Sequence, residues 1–287
     1  MVCMLGRPSK LLAVGALVGA LALSACSAGK STNSGAASGS SVDSQLNKVI
    51  KAGTIRVAVL PDFPPWSVQK PSGGFQGYEV DIAKDLAKAM GVKLQLVSTN
   101  GDSRLPLLKS DRVDVNISSW TATNERAKSA GFTIPYDAHG AGVLYRKSKP
   151  IKSYQDLAGK TVSVARGSTN DTIITNDFPK TKVDRFESIA DAIAALKAGK
   201  VDAVVESSVT VRAEAAKDSS LAAVGGPPLV PSLVSMGVLP GDQIWINYLN
   251  NYIRNLIASG EDEKLHQKWL HDDLPPIVGI SGQPTGS

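Results

Sequence analysis

The chain has 287 residues, 43% of them apolar, with 31 basic and 26 acidic side chains and a formal charge of +5. That excess is mild and comes without a basic block or a nucleic-acid motif, so DNA and RNA are not expected partners. The two cysteines, Cys3 and Cys26, both precede the folded part, which leaves no thiol there for a disulfide or a metal site.

Arg7 and Lys10 precede an unbroken apolar and glycine run from Leu11 to Leu23. The run is too short to span a bilayer as a permanent helix and reads as an export signal. It closes on Leu23-Ser24-Ala25-Cys26, which resembles a bacterial lipobox with Cys26 as the acylated residue. A signal peptide is therefore expected over 1–25; losing its Arg7 and Lys10 takes the charge from +5 to +3. A Ser/Gly/Ala/Asn-rich stretch follows, without apolar periodicity, and is expected to be a flexible tether over 26–45. No later apolar run is long enough to cross a membrane. About 230 residues remain, enough for one large or two small domains held by an apolar core.

In chain order, Thr54 to Leu60 reads as a buried strand. Val80 to Met90 puts Ile82, Ala83, Leu86, Ala87 and Met90 on one helical face and stops at Gly91. Val92 to Val97 is the next strand, Leu105 to Lys109 a short helix, and Val113 to Ile117 a third strand. This order predicts βαβ units and a parallel sheet, hence an α/β fold. The third strand runs into a hydroxyl-rich turn, Ser118-Ser119-Trp120-Thr121, with Arg126 five residues on and expected on a helix. Hydroxyls and free N–H groups at a strand's carboxyl end, beside a guanidinium, suit a carboxylate. The second half repeats the theme. Thr161 to Ala165 echoes Thr54 to Ala58, and the segment from Leu196 to Ala203 echoes Leu108 to Val115, each entering its strand through Val-Asp.

Thr121, Thr123, Glu125 and Arg126, followed by Phe132-Thr133-Ile134-Pro135-Tyr136, resemble the ligand signature of the extracellular solute-binding proteins of polar amino-acid ABC transporters, family 3. The resemblance covers roughly residues 46 to 276, with several motifs in the family's order. It implies a two-lobe periplasmic-binding-protein-like (type II) fold, each lobe a mainly parallel sheet flanked by helices, with the ligand in a hinged cleft. Lobe 1 is expected over 46–143 and 232–276, lobe 2 over 144–231, and a tail over 277–287. The chain would cross near Gly142 to Lys147 and return near Leu229 to Val238, and two such crossovers make a hinge.

The resemblance also implies site residues. Arg126 matches the arginine that pairs with the ligand's α-carboxylate, and Ser119 and Thr121, with Ser118 beside them, match the receiving turn. In the second lobe, Ser168 and Thr169 match a Gly-Ser/Thr-Thr turn that opens a helix, where N–H groups suit an anion. Phe63 stands where the family places an aromatic ring over the ligand. The segment from Ser103 to Leu108 resembles acidic-amino-acid binders, in which the arginine at Arg104 meets a side-chain carboxylate. The C-terminal segment from Gly260 to Pro276 also resembles those members. The implied protein is a monomeric, lipid-anchored receptor, on the periplasmic side if there is an outer membrane. It would deliver its solute to ABC permease and ATPase subunits and carry no cofactor.

Two departures stand out. Ser207 occupies the place of the aspartate that holds the ligand's ammonium, and Glu206 could take over only if the strand end shifts, since one step reverses the side-chain face. Leu60 replaces a residue that is polar or charged in several members. A betaine or a dicarboxylate therefore stays open as the ligand, as does a same-fold enzyme such as a cyclohexadienyl-type dehydratase. Against catalysis, His139, His266 and His271 lie outside the expected cleft motifs, and no nucleophile or metal motif is present.

Overall fold

The computed structural model describes residues 43–278. The expected signal peptide, Cys26, nearly all of the tether and most of the tail lie outside the described residues. Helix α1 (Gln45–Ala52) opens on Ser44, whose hydroxyl accepts from the Leu46 N–H. Strand β1 (Thr54–Val59) follows, buried from Val57 onward because it lies inside the sheet. Short strands β2 (Asp62–Phe63), β3 (Ser67–Gln69) and β4 (Phe75–Gln76) form a separate three-stranded sheet before α2 (Tyr78–Met90). The apolar face read from the sequence is the one α2 buries, with Ile82, Ala83, Leu86 and Ala87 in the core and Met90 at its edge. Strand β5 (Lys93–Ser98), helix α3 (Arg104–Lys109) and the two-residue β6 (Val115–Asn116) complete the first parallel set, with β1 central between β5 and β6.

No helix follows the hydroxyl-rich turn. Arg126–Lys128 is a single 3-10 turn, because the chain enters the long strand β7 (Gly131–Arg146) only three residues later. The second lobe then places β8 (Thr161–Ala165), α4 (Thr169–Asp177), β9 (Lys182–Phe186), α5 (Ile189–Lys197), β10 (Ala203–Ser207) and α6 (Ser208–Lys217). Here β8 is central and parallel to both β9 and β10, the arrangement of β1 with β5 and β6. The Val-Asp echo has one structural cause in both halves. The Asp114 carboxylate accepts from the Arg56 N–H at 2.6 Å and that of Asp202 from the Thr161 N–H at 3.0 Å. Each aspartate thereby pins its strand's entry against the central strand.

Strand β11 (Leu221–Ala223) pairs with β7, and β12 (Leu229–Val238) brings the chain back to pair with β6 and β7. β12 pairs antiparallel with β7 from Val238↔Gly131 to Leu229↔Ala141, and β10 takes over β7 from Ala141 to Tyr145. The two crossover strands thus lie side by side, and the sheet runs continuously as β5-β1-β6-β12-β7-β10-β8-β9. Helices α7 (Gln243–Ala258) and α8 (Glu261–Leu270) close the first lobe. Trp245, Leu249 and Ile253 are fully buried there, and Leu265 belongs to the same apolar cluster.

Candidate ligand site

The carboxyl ends of β1 and β6 face those of β8 and β10 across a cleft floored by β7 and β12. The lobes touch at several points. Arg126 Nη2 donates to the Gly167 carbonyl at 2.8 Å, and Trp66 Nε1 to Thr210 Oγ1 at 3.1 Å. A Cβ on Gly101 would lie 2.3 Å from the Arg166 carbonyl oxygen, and one on Gly167 2.3 Å from Asp102 Oδ1. Only glycine lets the two loops approach so closely. The cleft encloses a cavity of about 60 Å³, room for a few water molecules or a small polar solute. Its lining includes Leu60, Phe63, Arg104, Ser119, Thr121, Arg126, Ser168, Thr169 and Glu206.

On the first lobe, Arg126 Nη1 donates to the Thr121 carbonyl at 2.9 Å. Thr121 forms an isolated antiparallel bridge with Val234, in which the flanking residues make the bonds (Ala122 N to Leu233 O, Ser235 N to Trp120 O). Thr121's own N–H therefore points away from β12, towards the guanidinium and the cleft. Burial, and then the charge of Arg104, push the Arg126 pKa down to about 10. Ser119 adopts a left-handed conformation (φ 49°) that turns its N–H onto the buried carboxylate of Glu79, so that N–H serves the scaffold and only the rest of the residue faces the cavity. Ser118 lies behind the lining. Its Oγ accepts from Arg104 Nε at 3.1 Å and its carbonyl from Arg104 Nη2 at 2.7 Å, which orients the guanidinium. The Arg104 Cζ also sits 5.9 Å from the centre of the Trp120 ring. Among the described residues, neither Arg104 nor Arg126 has a carboxylate within ion-pair distance.

Glu79 was not anticipated from the sequence. It is fully buried, accepts from Ser119 N–H and Tyr136 O–H through Oε1, and leaves Oε2 without a partner. Burial holds its pKa up to about 7 despite those hydrogen bonds and the nearby Arg104 charge. Phe63 stacks with Trp66 at 6.1 Å between ring centres. Phe63 lines the cavity, whereas Trp66 is fully buried as core.

On the second lobe, Ser168 caps α4, its Oγ accepting from the Asp171 N–H at 3.1 Å. Glu206, not Ser207, reaches the cavity. No shift of the strand end is involved: Glu206 pairs with Gly142 in the regular β10–β7 ladder, and Ser207 is turned away with its hydroxyl buried and unpartnered. Glu206 Oε1 accepts from Asn170 Nδ2 at 2.9 Å and from the Ser207 N–H at 2.8 Å. Burial raises its pKa, with the Ser207 N–H and the Arg104 charge opposing. At the cavity's edge Arg166 pairs with Glu187 at 2.8 Å.

The expectation that all three histidines lie outside the cleft is corrected for His139. It stands on β7 two residues after Asp137 and lines the cavity. The signal was the period-two spacing of Asp137 and His139 on a strand through the hinge, which puts both side chains on one face. Ser232 on β12 and Asn170 on α4 also line the cavity without a sequence motif that marks them. Among the described residues no group of histidine, cysteine and acidic side chains could hold a metal ion.

A pair of α/β lobes joined by two crossover strands, with a polar cavity between them lined by guanidinium and carboxylate groups, is the architecture of a solute receptor. The chain belongs to the bacterial extracellular solute-binding proteins, family 3, whose family model matches residues 55–272. It is 30% identical over 231 residues to the L-cystine-binding protein TcyJ of Escherichia coli (strain K12), covering 80% of this chain and 87% of that one. It is similar in structure to the P235GK mutant of ArgBP from T. maritima (TM-score 0.74, 35% identity, 79% of this chain and 100% of the other). It also resembles the cyclohexadienyl dehydratase of Pseudomonas aeruginosa, at 26% identity over 83% of this chain and 90% of that one. The family's relatives include glutamine- and arginine-binding proteins of ABC transporters.

Proposed function

We propose that the protein captures an amino acid with an acidic side chain, glutamate or aspartate, and delivers it to an ABC permease and its ATPase. The observation that carries this reading is the charge pattern of the cavity. Two guanidinium groups, the buried Arg104 and the half-buried Arg126, lack a carboxylate at ion-pair distance, and one buried carboxylate, Glu206, stands across from them. A solute with two carboxylates and one ammonium is the complement. Arg126 and the Thr121 N–H would take the α-carboxylate, Arg104 the side-chain carboxylate, Glu206 the ammonium, and Phe63 the apolar stem. Ser168 and Thr169, at the start of α4, add polar contacts from the second lobe. The half-buried Asp62 of β2 also borders the cavity. Being less buried than Glu206, it is screened by water more strongly. Closure of the two lobes about β7 and β12 would bury the solute. A thermal-shift screen across amino acids, dicarboxylates and betaines tests the reading, since a ligand of the native state raises the melting temperature by mass action. Glutamate or aspartate is expected to give the largest shift. No shift with either, beside a shift with arginine or cystine, would refute the acidic preference. A shift with dicarboxylates or betaines alone would remove the ammonium site.

A second reading has one observation in its favour. Glu206 is a buried carboxyl of raised pKa on the cavity wall, the property of a general acid. Incubation with cyclic carboxylates, followed by mass spectrometry, decides it: turnover would make the protein a dehydratase. The expected result is none.

The receptor is proposed to act as a monomer tethered by lipid on Cys26. Replacing Cys26 with serine is expected to abolish incorporation of a labelled fatty acid, and unchanged incorporation would remove the anchor.

A further inference from the structure

Running back from the cavity wall, His139 and the buried Asp137 and His266 form a row that none of the binding roles above uses. Asp137 on β7 is 1% exposed. Its Oδ2 lies 3.2 Å from His139 Nδ1 and its Oδ1 3.1 Å from His266 Nε2, on α8. The other nitrogen of His266 lies 2.8 Å from the Asp272 carbonyl oxygen. A carbonyl and a carboxylate only accept, so His266 has to donate from both nitrogens and is an imidazolium. That ion pair already matches the single charge of Asp137, so a neutral His139 completes the row without excess charge. Its Nδ1 donates to Asp137, so its proton-free nitrogen is Nε2. The ring is fixed a second time, 4.8 Å from the centre of Trp66, whose own Nε1 is tied to Thr210. Nε2 has no partner among the described residues and is not sealed off in the interior, while the residue borders the same cavity as Glu206.

We infer that His139 is a ligand-binding residue that determines specificity: its Nε2 accepts a hydrogen bond from the ammonium of the bound amino acid, beside the Glu206 carboxylate. Asp137 and His266 are positioning residues that hold the imidazole in the accepting tautomer. This rests on the amino-acid reading and deepens it. An ammonium has three N–H donors and no acceptor, whereas Glu206 has already committed Oε1 to Asn170 and Ser207. A second acceptor on the cavity wall is what the cation still needs, and an uncharged one adds no net charge.

The test compares L-glutamate with glutarate, which carries the same two carboxylates without the ammonium. His139→Phe keeps a ring against Trp66 and removes the acceptor. Calorimetry is expected to show a loss of roughly ten- to a hundredfold for L-glutamate, the size of a hydrogen bond to a charged group, and little change for glutarate. Equal losses for both, or none for either, would overturn the proposal. In parallel, ¹⁵N spectra of histidine-labelled wild-type protein should show His139 with a bare, pyridine-like Nε2 and His266 protonated on both nitrogens. A proton on His139 Nε2 would overturn the proposal whatever the variant does. Asp137→Asn should release the tautomer preference and weaken L-glutamate binding; a purely structural aspartate would leave the His139 nitrogen signature unmoved. If wild-type protein ignores L-glutamate but binds L-glutamine, the acidic reading fails. His139 is then judged by the same comparison between L-glutamine and its deamino analogue. A protein that binds no α-amino acid would overturn both.

Discussion

Arg126→Ala separates a ligand anchor from a structural arginine. In the ligand-free protein the side chain makes two bonds, to the carbonyls of Thr121 at 2.9 Å and Gly167 at 2.8 Å. Bonds from a charged donor contribute about 1.5–3 kcal/mol each when buried, less where water competes, as it does at Gly167. Against them stands desolvation. A pKa pushed down from 12.5 to about 10 corresponds to at most about 3 kcal/mol disfavouring the cation, reduced by the exposure the side chain keeps. The two terms nearly cancel, so the melting temperature without ligand should move by no more than a few degrees. With ligand the balance changes. A carboxylate left buried without its partner costs roughly 2–5 kcal/mol, which is a loss of about thirtyfold to several thousandfold in affinity. Arg126→Lys keeps the charge but not the fork and should fall between wild type and alanine. Isothermal titration with the best ligand of the thermal-shift screen measures the effect. Near-normal affinity in Arg126→Ala, or a collapse of the ligand-free protein, would refute the reasoning.

The remaining predictions concern Arg104 and the buried acids. Arg104→Ala should cost acidic ligands about one to two decades of affinity and glutamine-like ligands little; equal losses would make Arg104 scaffold, and no loss would leave it without a role. Stability without ligand should be greatest near about pH 4–5, for reasons of sign. Glu79 and Asp262, both held up to about 7 by burial, bind protons more tightly folded than unfolded, so stability falls as pH rises from about 4 towards 7. For Glu79 alone the shift from 4.5 is worth about 3 kcal/mol. His266 acts in the same direction. Burial would lower its pKa, but the hydrogen bond and charge of Asp137 raise it, so its contribution is present below about 6.5 and lost as pH rises through the folded value. Asp137 acts oppositely. Burial would raise it, yet the bonds from His139 and His266 hold it at about 2, so its contribution is lost as pH falls from about 4 through 2. Thermal melts between pH 3 and 8 check this, and Glu79→Gln should flatten the upper limb; a flat wild-type profile from pH 5 to 8 would refute it.

Much of this protein is written locally. The apolar face of α2 needs only spacing that one helical turn can read, and Leu60 to Phe63 ends a buried strand at the cleft for the same kind of reason. The Val-Asp repeats at Asp114 and Asp202 were visible as an echo because the same job, pinning a strand's entry to the central strand, demands the same residues twice. That Arg126 and Thr121 reach the cavity follows the local rule that strand ends in an α/β sheet point at one edge, whereas Ser168 was marked only by the family resemblance. Other features depend on partners distant in sequence. Whether Glu206 or Ser207 faces the cavity is a matter of strand register, fixed by β10 pairing with β7 at Gly142. That Ser118 serves Arg104 and not the cavity follows from how α3 packs beside β6. His139 gains its place from a carboxylate on its own strand, a histidine 127 positions onward and the hinge that brings both to the cleft. Sequence patterns record which face a residue takes within its own element; only the packing of separate elements decides which buried charges meet, because the energy of that meeting depends on distance and desolvation and not on separation along the chain.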